Sequence, residues 1–497
     1  MLPASPRGFG TVGSVSLPPD EVDRSGRPNI VLIITDQQRH DQLGSWSDGF
    51  FETPHLDRLA DDGTRFDTTY TMSTLCAPAR GSLLTGLYPN RFRGHRDDRP
   101  DGGGRSVREG FFTVAHQLRA AGYQTAHVGK GHFKPMRARH GFDHLRVAEH
   151  LNLYRNESPR PVDDHVAWLL WQGKAEPLAT GLFPPRHPDA ERVREQLSAV
   201  RYPLPQQFHP TSWVTDEAIS WLEARPTDRP FYLQVSYPHP HTPYNPPAPY
   251  AGRYDPADIT LPDREQGLQG MAPQLRHWLT THAAPGTRIV GDHPETTIRR
   301  VLTYIRALIV QIDDAVGRLL EHVDLDDTIV FFVSDHGDFG GHRGLLSKVP
   351  CVALEDLARV PMFGSGGGIG AGRRITTPVS SGDLTPTILD LARAGGPLDQ
   401  LDGVSLVPAL RDGTAPPERT LYTHSMHGYP MARRGRMKLV GELLGDERML
   451  FDMEEDPGET NDLADAPEHR GLVEDLFDEI LRIRGMDELS LEAPTPG

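Results

Sequence analysis

The sequence contains only two cysteines among its 497 residues, Cys76 and Cys351. Two cysteines cannot form the disulfide framework that stabilises small secreted domains, so the chain must fold around a hydrophobic core. Long apolar segments are also absent. The most apolar runs, 29–35 and 328–334, have the length of β-strands. They fall far short of the roughly 20 residues that a membrane-spanning helix needs.

Positively charged residues are also in deficit. The sequence has 52 lysines and arginines but 68 aspartates and glutamates, which gives a net charge of −16. Nonspecific binding of nucleic acid relies on basic surfaces, so we expect no nucleic-acid partner, and we expect no membrane partner either. An anionic substrate is still compatible with this composition, since a local pocket can oppose the global charge. The first 28 residues lack the apolar segment of a secretory signal, which together with the scarcity of cysteine predicts a cytoplasmic location.

Strand-like and helix-like segments alternate along the chain, which predicts an α/β fold with a mostly parallel central sheet flanked by helices. The predicted strands of the sheet are 29–35, 123–128, 231–236 and 328–334. The predicted helices are 53–62, 82–87, 113–121, 213–224, 297–322 and 383–393. Residues 137–210 and 237–295 have weak periodicity and are predicted to be long insertions that shape a site or a lid.

The chain is predicted to have three parts. Residues 1–27, rich in Gly, Pro and Ser, form a flexible lead, and residues 28–402 form the main α/β domain that carries the site. Four short strands follow at 420–424, 431–434, 438–441 and 448–451, before a helix near 469–484. Short strands at this spacing predict a small antiparallel α+β subdomain, 403–497, packed on the main domain.

Polar side chains follow two of the predicted buried strands. Asp36 and Gln37 come directly after the first strand, and Asp335 and His336 follow the last. Because ligands of open α/β sheets bind beyond the carboxyl ends of the strands, Asp36, Asp335 and His336 are predicted to hold a divalent cation. Carboxylates suit Mg²⁺ or Ca²⁺, and an imidazole shifts the preference toward Mn²⁺ or Zn²⁺. The alternative is that these acids are solvated loop residues.

Cys76 stands just before a predicted helix start, and Arg80 lies about one turn further on. A helix N-terminus favours negative charge on a nucleophile or on its ligand, and Arg80 can face the same point. The alternative is a buried structural cysteine, which is a common environment for this residue type. Cys351 lies in no motif and is predicted to be inert.

These motifs resemble those of the sulfatase family, within the alkaline-phosphatase-like superfamily, over about residues 27–463. Six of them occur in the family's order. They are Asp36 after Pro28-Asn29-Ile30-Val31; Cys76-Ala77-Pro78-Ala79-Arg80, which matches Cys-x-Pro-x-Arg; Val128-Gly129-Lys130-Gly131-His132; Pro240-His241-Thr242-Pro243-Tyr244; Ser334-Asp335-His336-Gly337-Asp338 with Gly344-Leu345-Leu346-Ser347-Lys348; and Leu450-Phe451-Asp452 through Thr460-Asn461. Each motif alone is short, and their common order makes the resemblance specific.

The resemblance implies a sulfuric ester hydrolase. In that family the signature cysteine is oxidised to formylglycine, an aldehyde, by a separate formylglycine-generating enzyme, which here would act on Cys76. The resemblance also implies one divalent cation, Ca²⁺ first with Mn²⁺ or Mg²⁺ as alternatives. Its predicted ligands are Asp36, Gln37, Cys76, Asp335 and His336. The hydrated aldehyde would attack the sulfur of a small sulfate ester and then release inorganic sulfate.

The resemblance implies further catalytic roles. Arg80 would orient the modified side chain, while Lys130 and Lys348 would stabilise the developing oxyanion charge. His132 would lie close to the hydrated aldehyde and help to take its proton. Each of these residues falls inside a matched motif, whereas a lysine outside any motif is usually a solvated surface charge.

The Pro-His-Pro-His stretch offers two histidines. His241 fits the family pattern for contacting and protonating the ester oxygen, and His239 is its rival. Two residues depart from the usual pattern: Ala79 replaces the serine common in the maturation signature, and Gln37 stands where many members have a second aspartate. The combination of Asp-Gln with Asp-His also resembles related phosphonate monoester hydrolases and phosphodiesterases.

Three hypotheses follow. The leading one is a cytoplasmic sulfatase that hydrolyses a small organic sulfate ester to an alcohol and inorganic sulfate. The alternative is a phosphonate monoester or phosphodiester hydrolase that uses the same site, because sulfate and phosphate-type esters are both tetrahedral anions. The third is a non-catalytic metal-binding protein of the same fold. Oligomeric state stays open.

Overall fold

The structure is a computed structural model that describes residues 26–47, 49–93, 107, 111–149, 163–174, 197–281, 288–396, 398–426 and 428–485. Its strands are β1 (Asn29–Asp36), β2 (Gly63–Tyr70), β3 (Gln124–Gly129), β4 (His144–Val147), β5 (Phe231–Pro240), β6 (Arg288–Ile289), β7 (Thr328–Ser334), β8 (Leu345–Leu346), β9 (Arg359–Gly366), β10 (Arg373–Ile375), β11 (Val379–Ser380), β12 (Leu421–Thr423), β13 (Met431–Arg434), β14 (Met437–Gly441) and β15 (Arg448–Asp452). Its α-helices are Pro54–Asp61, Cys76–Thr85, Pro89–Arg93, Val114–Ala120, Asp164–Trp171, Pro210–Ala224, Ala248–Ala251, Arg264–Gly267, Pro273–Thr280, Glu295–Leu320, Glu355–Ala358, Leu384–Leu391, Val407–Asp412 and Arg470–Arg484.

Within the described residues, the main sheet runs in the order β10-β2-β9-β7-β1-β5-β3-β4, with β11 paired to β2. β1 is parallel to both β5 and β7, and β3 is parallel to β4 and β5. β9 is antiparallel to β2 and β7. The predicted α/β fold with a mostly parallel sheet is therefore confirmed. Its parallel centre aligns the carboxyl ends of β1, β3, β5 and β7 along one edge, where ligands of such sheets bind.

The sheet is buried on both faces, as the residues of β1 show. Ile30, Leu32 and Ile34 pack into one apolar layer, while Val31 and Ile33 pack into the other. Successive side chains of a strand point to opposite faces, so a continuous apolar run fits a strand that is covered on both sides. The first layer includes residues of helices Cys76–Thr85, Val114–Ala120, Leu384–Leu391 and Val407–Asp412, and the second includes residues of Pro54–Asp61, Pro210–Ala224 and Glu295–Leu320.

A second sheet, β12-β13-β14-β15, is antiparallel throughout. The helix Arg470–Arg484 covers it, with Leu476 in one apolar cluster with Leu439 of β14. This arrangement confirms the predicted small antiparallel α+β unit near the C-terminus. The boundary at residue 403 stays a prediction, and the helix Val407–Asp412 just beyond it packs into the core of the main sheet.

One helix begins earlier than the sequence predicts. The prediction was 82–87, whereas the helix runs over Cys76–Thr85, from an extended Leu75 to a left-handed Gly86 with φ 69°. Pro78 is accommodated because it lies in the first turn, where backbone N–H groups have no partner within the helix. Cys76 is therefore the first helical residue and does not precede the helix.

The two predicted insertions contain regular elements. The described residues of 137–210 include β4 and the helix Asp164–Trp171, and β5 extends into 237–295 as far as Pro240. Most of the predicted lead, residues 1–25, lies outside the described residues, as do 150–162 and 175–196. Among the described residues, no helix combines the length and the apolarity that a bilayer crossing requires.

Candidate active site

The predicted functional side chains converge at the carboxyl edge of the main sheet. β1 ends at Asp36, and the neighbouring strand β7 ends one residue before Asp335. On the other side of β1, His241 directly follows β5 and Lys130 directly follows β3. Cys76 faces this edge from the start of its helix, with its sulfur 3.7 Å from Asp36 Oδ1. The parallel strands thus bring together residues that are far apart in the sequence.

The segment that precedes Cys76 is tied to two other loops. Thr71 Oγ1 donates a hydrogen bond to the carbonyl of Asp335 (2.6 Å), and Thr74 Oγ1 donates one to the carbonyl of Cys351 (2.7 Å). Every residue of the helix that Cys76 begins is buried. The N-terminal N–H groups of this helix therefore lie inside the protein, where they favour negative charge at residue 76.

Four side chains form a donor set for a metal ion. Asp36, Cys76, Asp335 and His336 are all buried, and each offers a ligand atom within 4.8 Å of the others. His336 Nδ1 lies 2.8 Å from the carbonyl of Gly337, so Nδ1 carries a proton and Nε2 is the nitrogen that faces the donor set. That Nε2 lies 3.1 Å from the sulfur of Cys76. Two carboxylates, a sulfur and an imidazole with its tautomer fixed by an outer hydrogen bond fit a divalent cation.

Arg80 joins the two carboxylates of this donor set. Its Nε donates to Asp335 Oδ2 (2.8 Å) and its Nη2 to Asp36 Oδ2 (3.0 Å). Its Nη1 donates to the carbonyl of Lys130 and to Ser236 Oγ, both at 2.7 Å. A planar guanidinium with several fixed donors can hold such an arrangement where a lysine cannot. Arg80 thus fixes the two acids around residue 76.

Two lysines lie at the site. Lys130 is fully buried, and its Nζ lies 2.6 Å from Asp36 Oδ2. Lys348 Nζ lies 3.0 Å from the sulfur of Cys76 and 3.0 Å from Gln37 Oε1. Buried ammonium groups are rare unless a negative charge compensates them, so their position marks where an anion is stabilised.

The surrounding charges favour an anion at residue 76. Burial alone would raise the pKa of the Cys76 thiol. The charges of Lys348, Lys130 and His336 outweigh burial and hold this pKa well below its ordinary value. Burial is outweighed at Asp36 too, chiefly by Lys130, so the pKa of that carboxyl is well below its ordinary value. The surroundings of both groups therefore favour the negatively charged form.

Gln37 lies between the donor set and the loop that carries Lys348. It adopts a left-handed conformation with φ 67°. Its backbone N–H donates to Asp335 Oδ1 (3.0 Å), its side-chain nitrogen donates to Asp338 Oδ2, and its side-chain oxygen accepts from Lys348. Gln37 thus contacts three neighbours through its backbone N–H and its side-chain amide. Its role as a metal ligand stays a prediction.

His132 is brought close to Cys76 by an unusual loop. The residue has φ 59°, and its side chain lies close enough to Cys76 to help lower the pKa of that thiol. The buried carboxylate of Glu149 accepts the backbone N–H of Gly131 (2.9 Å) and that of His132. Glu149 therefore holds the loop that presents His132 to the site.

The structure separates the two rival histidines. His241 lies at the site, where burial and the charge of Lys348 lower its pKa to about 4. His239 belongs to a different buried polar group, since its Nε2 lies 3.1 Å from Asn245 Oδ1. Its ring also stacks on that of His209, with centroids 4.6 Å apart. The geometry therefore brings His241 to residue 76 and directs His239 away from it.

Sequence reasoning missed two residues of the site. Ser236 accepts a hydrogen bond from Arg80 and donates one to the carbonyl of Lys130 (2.8 Å). A polar residue at the end of an apolar strand could have signalled it. Glu149 lies in the region interpreted as an insertion, and no nearby motif marks it.

Comparison with known proteins agrees with this geometry. A sequence model of the Sulfatase family matches residues 28–394. The choline-sulfatase of Rhizobium meliloti (strain 1021) is 32% identical over 464 residues, which cover 90% of this chain and 84% of that protein. The arylsulfatase of Clostridium perfringens (strain 13 / Type A) is 28% identical over 480 residues, covering 90% of this chain and 92% of that protein. The phosphonate monoester hydrolase structure of Agrobacterium radiobacter matches the fold with a TM-score of 0.72 at 23% identity, covering 92% of this chain and 96% of that chain.

A buried cysteine flanked by carboxylates, an imidazole and lysines, at the edge of this sheet, is compatible with an ester hydrolase of the alkaline-phosphatase-like fold. The family match and the 32% identity make the assignment specific. The chain belongs to the sulfatase family, and its class of reaction is sulfuric ester hydrolysis.

Proposed function

We propose that the protein hydrolyses a small organic sulfate ester to an alcohol and inorganic sulfate, with formylglycine derived from Cys76 as the nucleophile. The observation that carries the proposal is the set of polar groups around the Cys76 sulfur, with Lys348 Nζ at 3.0 Å and His336 Nε2 at 3.1 Å. A structural cysteine would be surrounded by apolar groups. Two relatives are a choline-sulfatase and an arylsulfatase, which supports a small alcohol as the leaving group.

One divalent cation would be held by Asp36, Asp335, His336 and residue 76. When bound, it would act as a Lewis acid that lowers the pKa of the attacking hydroxyl and neutralises the sulfate oxygens. Ca²⁺ is the first choice, and Mn²⁺ or Mg²⁺ are alternatives, because one imidazole joins the carboxylates. Gln37 would either add its amide oxygen as a further ligand or position Lys348, which that oxygen contacts.

The side chains of the chain itself would bind and stabilise the ester. Lys348 would stabilise the charge that develops on the sulfate oxygens, and Lys130 would hold Asp36 in place while adding positive charge. His132 would take the proton that residue 76 loses as sulfate is released. His241 is neutral at pH 7 because its pKa is about 4. It would contact the ester oxygen, and it could donate a proton to that oxygen only after it had itself taken up a proton. Overall, one water is consumed, the sulfur–oxygen bond to the alcohol breaks, and the alcohol oxygen gains a proton.

A second candidate is a phosphonate monoester or phosphodiester hydrolase. It is favoured by the imidazole of His336 in the donor set and by 27% identity over 516 residues to the multifunctional alkaline phosphatase superfamily protein PehA of Trinickia caryophylli. The values of kcat/KM for 4-nitrophenyl sulfate and for 4-nitrophenyl phenylphosphonate distinguish the two candidates. A higher value for the sulfate supports the sulfatase, and a higher value for the phosphonate supports the second candidate.

The test of the proposed function is release of inorganic sulfate by protein produced together with a formylglycine-generating enzyme. We expect release from 4-nitrophenyl sulfate or choline sulfate, with Cys76→Ala lowering it at least about 1,000-fold. Cys351→Ala is the matched control, because it makes the same change at the other buried cysteine and should keep at least half of the activity. Two results would favour the non-catalytic metal-binding protein. One is the absence of sulfate release across a broad panel of esters, and the other is a rate of sulfate release that Cys76→Ala does not change.

The cytoplasm is the proposed location of the protein. The support is compositional, namely two cysteines in 497 residues. Fractionation of the native host should recover the protein with cytoplasmic markers, and recovery from the medium or an envelope fraction would overturn this part of the proposal.

A further inference from the structure

A second cluster of buried charges lies where the antiparallel C-terminal sheet meets the main domain. We call it the Glu459 cluster, and its members are Arg343, Glu355, Asp356, Lys438 and Glu459. All five are less than one-tenth exposed, and Lys438 and Glu459 are fully buried. None of these residues belongs to the donor set around Cys76. Their function is therefore a separate question.

Glu459 is the centre of this cluster. Its Oε2 accepts hydrogen bonds from Arg343 Nη2 (2.8 Å) and from the backbone N–H of Glu355 (3.0 Å). Its Oε1 lies 2.8 Å from Lys438 Nζ. The residue adopts φ 56°, a conformation that side-chain-bearing residues rarely occupy. Both carboxylate oxygens are thus committed, and each contacts a cation.

Arg343 connects Glu459 to the site. It also has a left-handed backbone with φ 56°, and its Nε donates to Asp356 Oδ2 (2.7 Å). Its Nη1 donates to the carbonyl of Gly267 (2.6 Å). With these contacts the guanidinium is held on three sides, so the backbone at residue 343 has little freedom.

Arg343 stands at the tip of a closed loop whose base carries Lys348. The two sides of the loop are joined by hydrogen bonds from Phe339 N to Ser347 O (2.9 Å) and from Gly341 N to Leu345 O (2.8 Å). The loop begins directly after the metal-donor residues and ends at the lysine whose Nζ lies 3.0 Å from the Cys76 sulfur. A displacement of the tip would therefore be transmitted to Lys348.

We propose that Glu459 is a positioning residue, which acts through Arg343 and the loop 338–347 to hold Lys348 against residue 76. The inference rests on the proposed function, because Lys348 matters only if residue 76 becomes the nucleophile. It assigns the C-terminal subdomain a share in building the site, although none of the subdomain's residues contacts Cys76 in the hydrogen bonds of the described chain.

The first test is a double-mutant cycle on the holoenzyme with 4-nitrophenyl sulfate as the probe. We expect Glu459→Gln to lower kcat and kcat/KM equally, about 10- to 100-fold, as loss of an outer-shell partner does. In a Lys348→Ala background the same change should lower kcat less than about twofold, because the residue through which it acts is gone. Equal losses in both backgrounds would overturn the proposal, since a purely structural role is additive.

Tyr70→Phe is the matched control. The Tyr70 hydroxyl donates to Glu355 Oε1 (2.6 Å) at the far side of the cluster, and Tyr70 has no hydrogen bond to Arg343 or Glu459 in the described chain. We expect a lower melting temperature with kcat within about twofold of wild type. A drop in kcat equal to that of Glu459→Gln would contradict the proposal. If Glu459→Gln does not fold, Arg343→Lys replaces it in the cycle, because it keeps the charge and loses the forked donor geometry.

The second test does not depend on turnover. Amide hydrogen exchange over residues 339–348 should be faster in Glu459→Gln than in wild type and unchanged in Tyr70→Phe. Equal exchange in Glu459→Gln and wild type would overturn the positioning role. If the enzyme hydrolyses a phosphonate or phosphodiester and no sulfate, the proposed function fails, while the same cycle with that ester still decides the role of Glu459.

Discussion

The site around Cys76 and the Glu459 cluster are built from the same kinds of residue, yet their charges are paired differently. In the Glu459 cluster each cation lies against carboxylates, with Lys438 Nζ 2.8 Å from both Glu355 and Glu459. At the site, Lys348 faces a sulfur and an amide oxygen instead of a carboxylate. A buried charge with a complete set of partners can only support or position its neighbours, whereas one that faces residue 76 is available to substrate.

The two clusters also differ in what their charges do to ionisation. Burial opposes ionisation of Glu355, but Lys438 and its neighbouring arginines outweigh burial and hold its pKa at about 2. That low pKa stabilises the folded state. The low pKa of Cys76 arises from similar forces, but here they favour negative charge at the position where chemistry would occur. The same electrostatics thus contributes to stability in one place and to reactivity in the other.

The comparison between the two clusters is tested most strongly by making the same substitution, lysine to methionine, in each of them. Lys348→Met should lower kcat/KM about 100- to 1,000-fold, the usual cost of removing an oxyanion donor. Lys438→Met should lower the free energy of unfolding by about 3–5 kcal/mol, because it removes the cation that two buried carboxylates share. It should lower kcat/KM less than Lys348→Met does, because Lys438 contacts Glu459 and not residue 76. Steady-state kinetics and urea unfolding of both variants measure this. A fall in kcat/KM in Lys438→Met equal to that in Lys348→Met would contradict the distinction between the two clusters.

The pH dependence of unfolding tests whether the charges of the Glu459 cluster stabilise the folded state. The pKa of Glu355 is about 2 in the folded protein against an ordinary value of 4.5. Its contribution is therefore present above about pH 4.5 and is lost as pH falls toward 2. We expect wild type to lose up to about 3 kcal/mol more than Glu355→Gln over this interval. Urea titrations at pH 5 and pH 2 provide the measurement, and parallel losses in the two proteins would show that Glu355 is not the source.

Metal removal should produce the smallest effect on stability. A cation bound at the donor set would stabilise the folded state by about 2.7 kcal/mol near 100 times its dissociation constant. Addition of a chelator should therefore lower the melting temperature by a few degrees and abolish turnover. His336→Ala should remove this shift, and His239→Ala, the matched change outside the donor set, should keep it. A chelator shift of equal size in His336→Ala would exclude His336 as a ligand.

The sequence was sufficient to predict which side chains meet at the edge of the sheet, because these residues lie in short motifs at strand ends. Asp36 and Asp335 follow apolar strands, and parallel pairing of β1 with β7 brings them together. The choice between His239 and His241 needed the structure, since two histidines one residue apart can turn to opposite sides. The helix start at Cys76 was misplaced because proline fits the first turn of a helix as well as the residue before one.

The contacts that position the site were not predictable in the same way. Glu459 and Arg343 are 116 residues apart. Glu149 acts on the backbone of Gly131 and His132, so the identity of its partners leaves no trace in the sequence. The chain's periodicity specifies which faces are apolar, but it does not specify which buried charges meet across a domain boundary.

The most direct test of the account is the mass of the tryptic peptide 66–80 from protein made in its native host. The account predicts a mass in which the CH₂SH group of Cys76 is replaced by CHO or its hydrate. Such a mass would show that the buried cluster around residue 76 surrounds a formylglycine nucleophile. An unmodified thiol throughout the population would contradict the account, because Lys348 and His336 would then surround an ordinary cysteine.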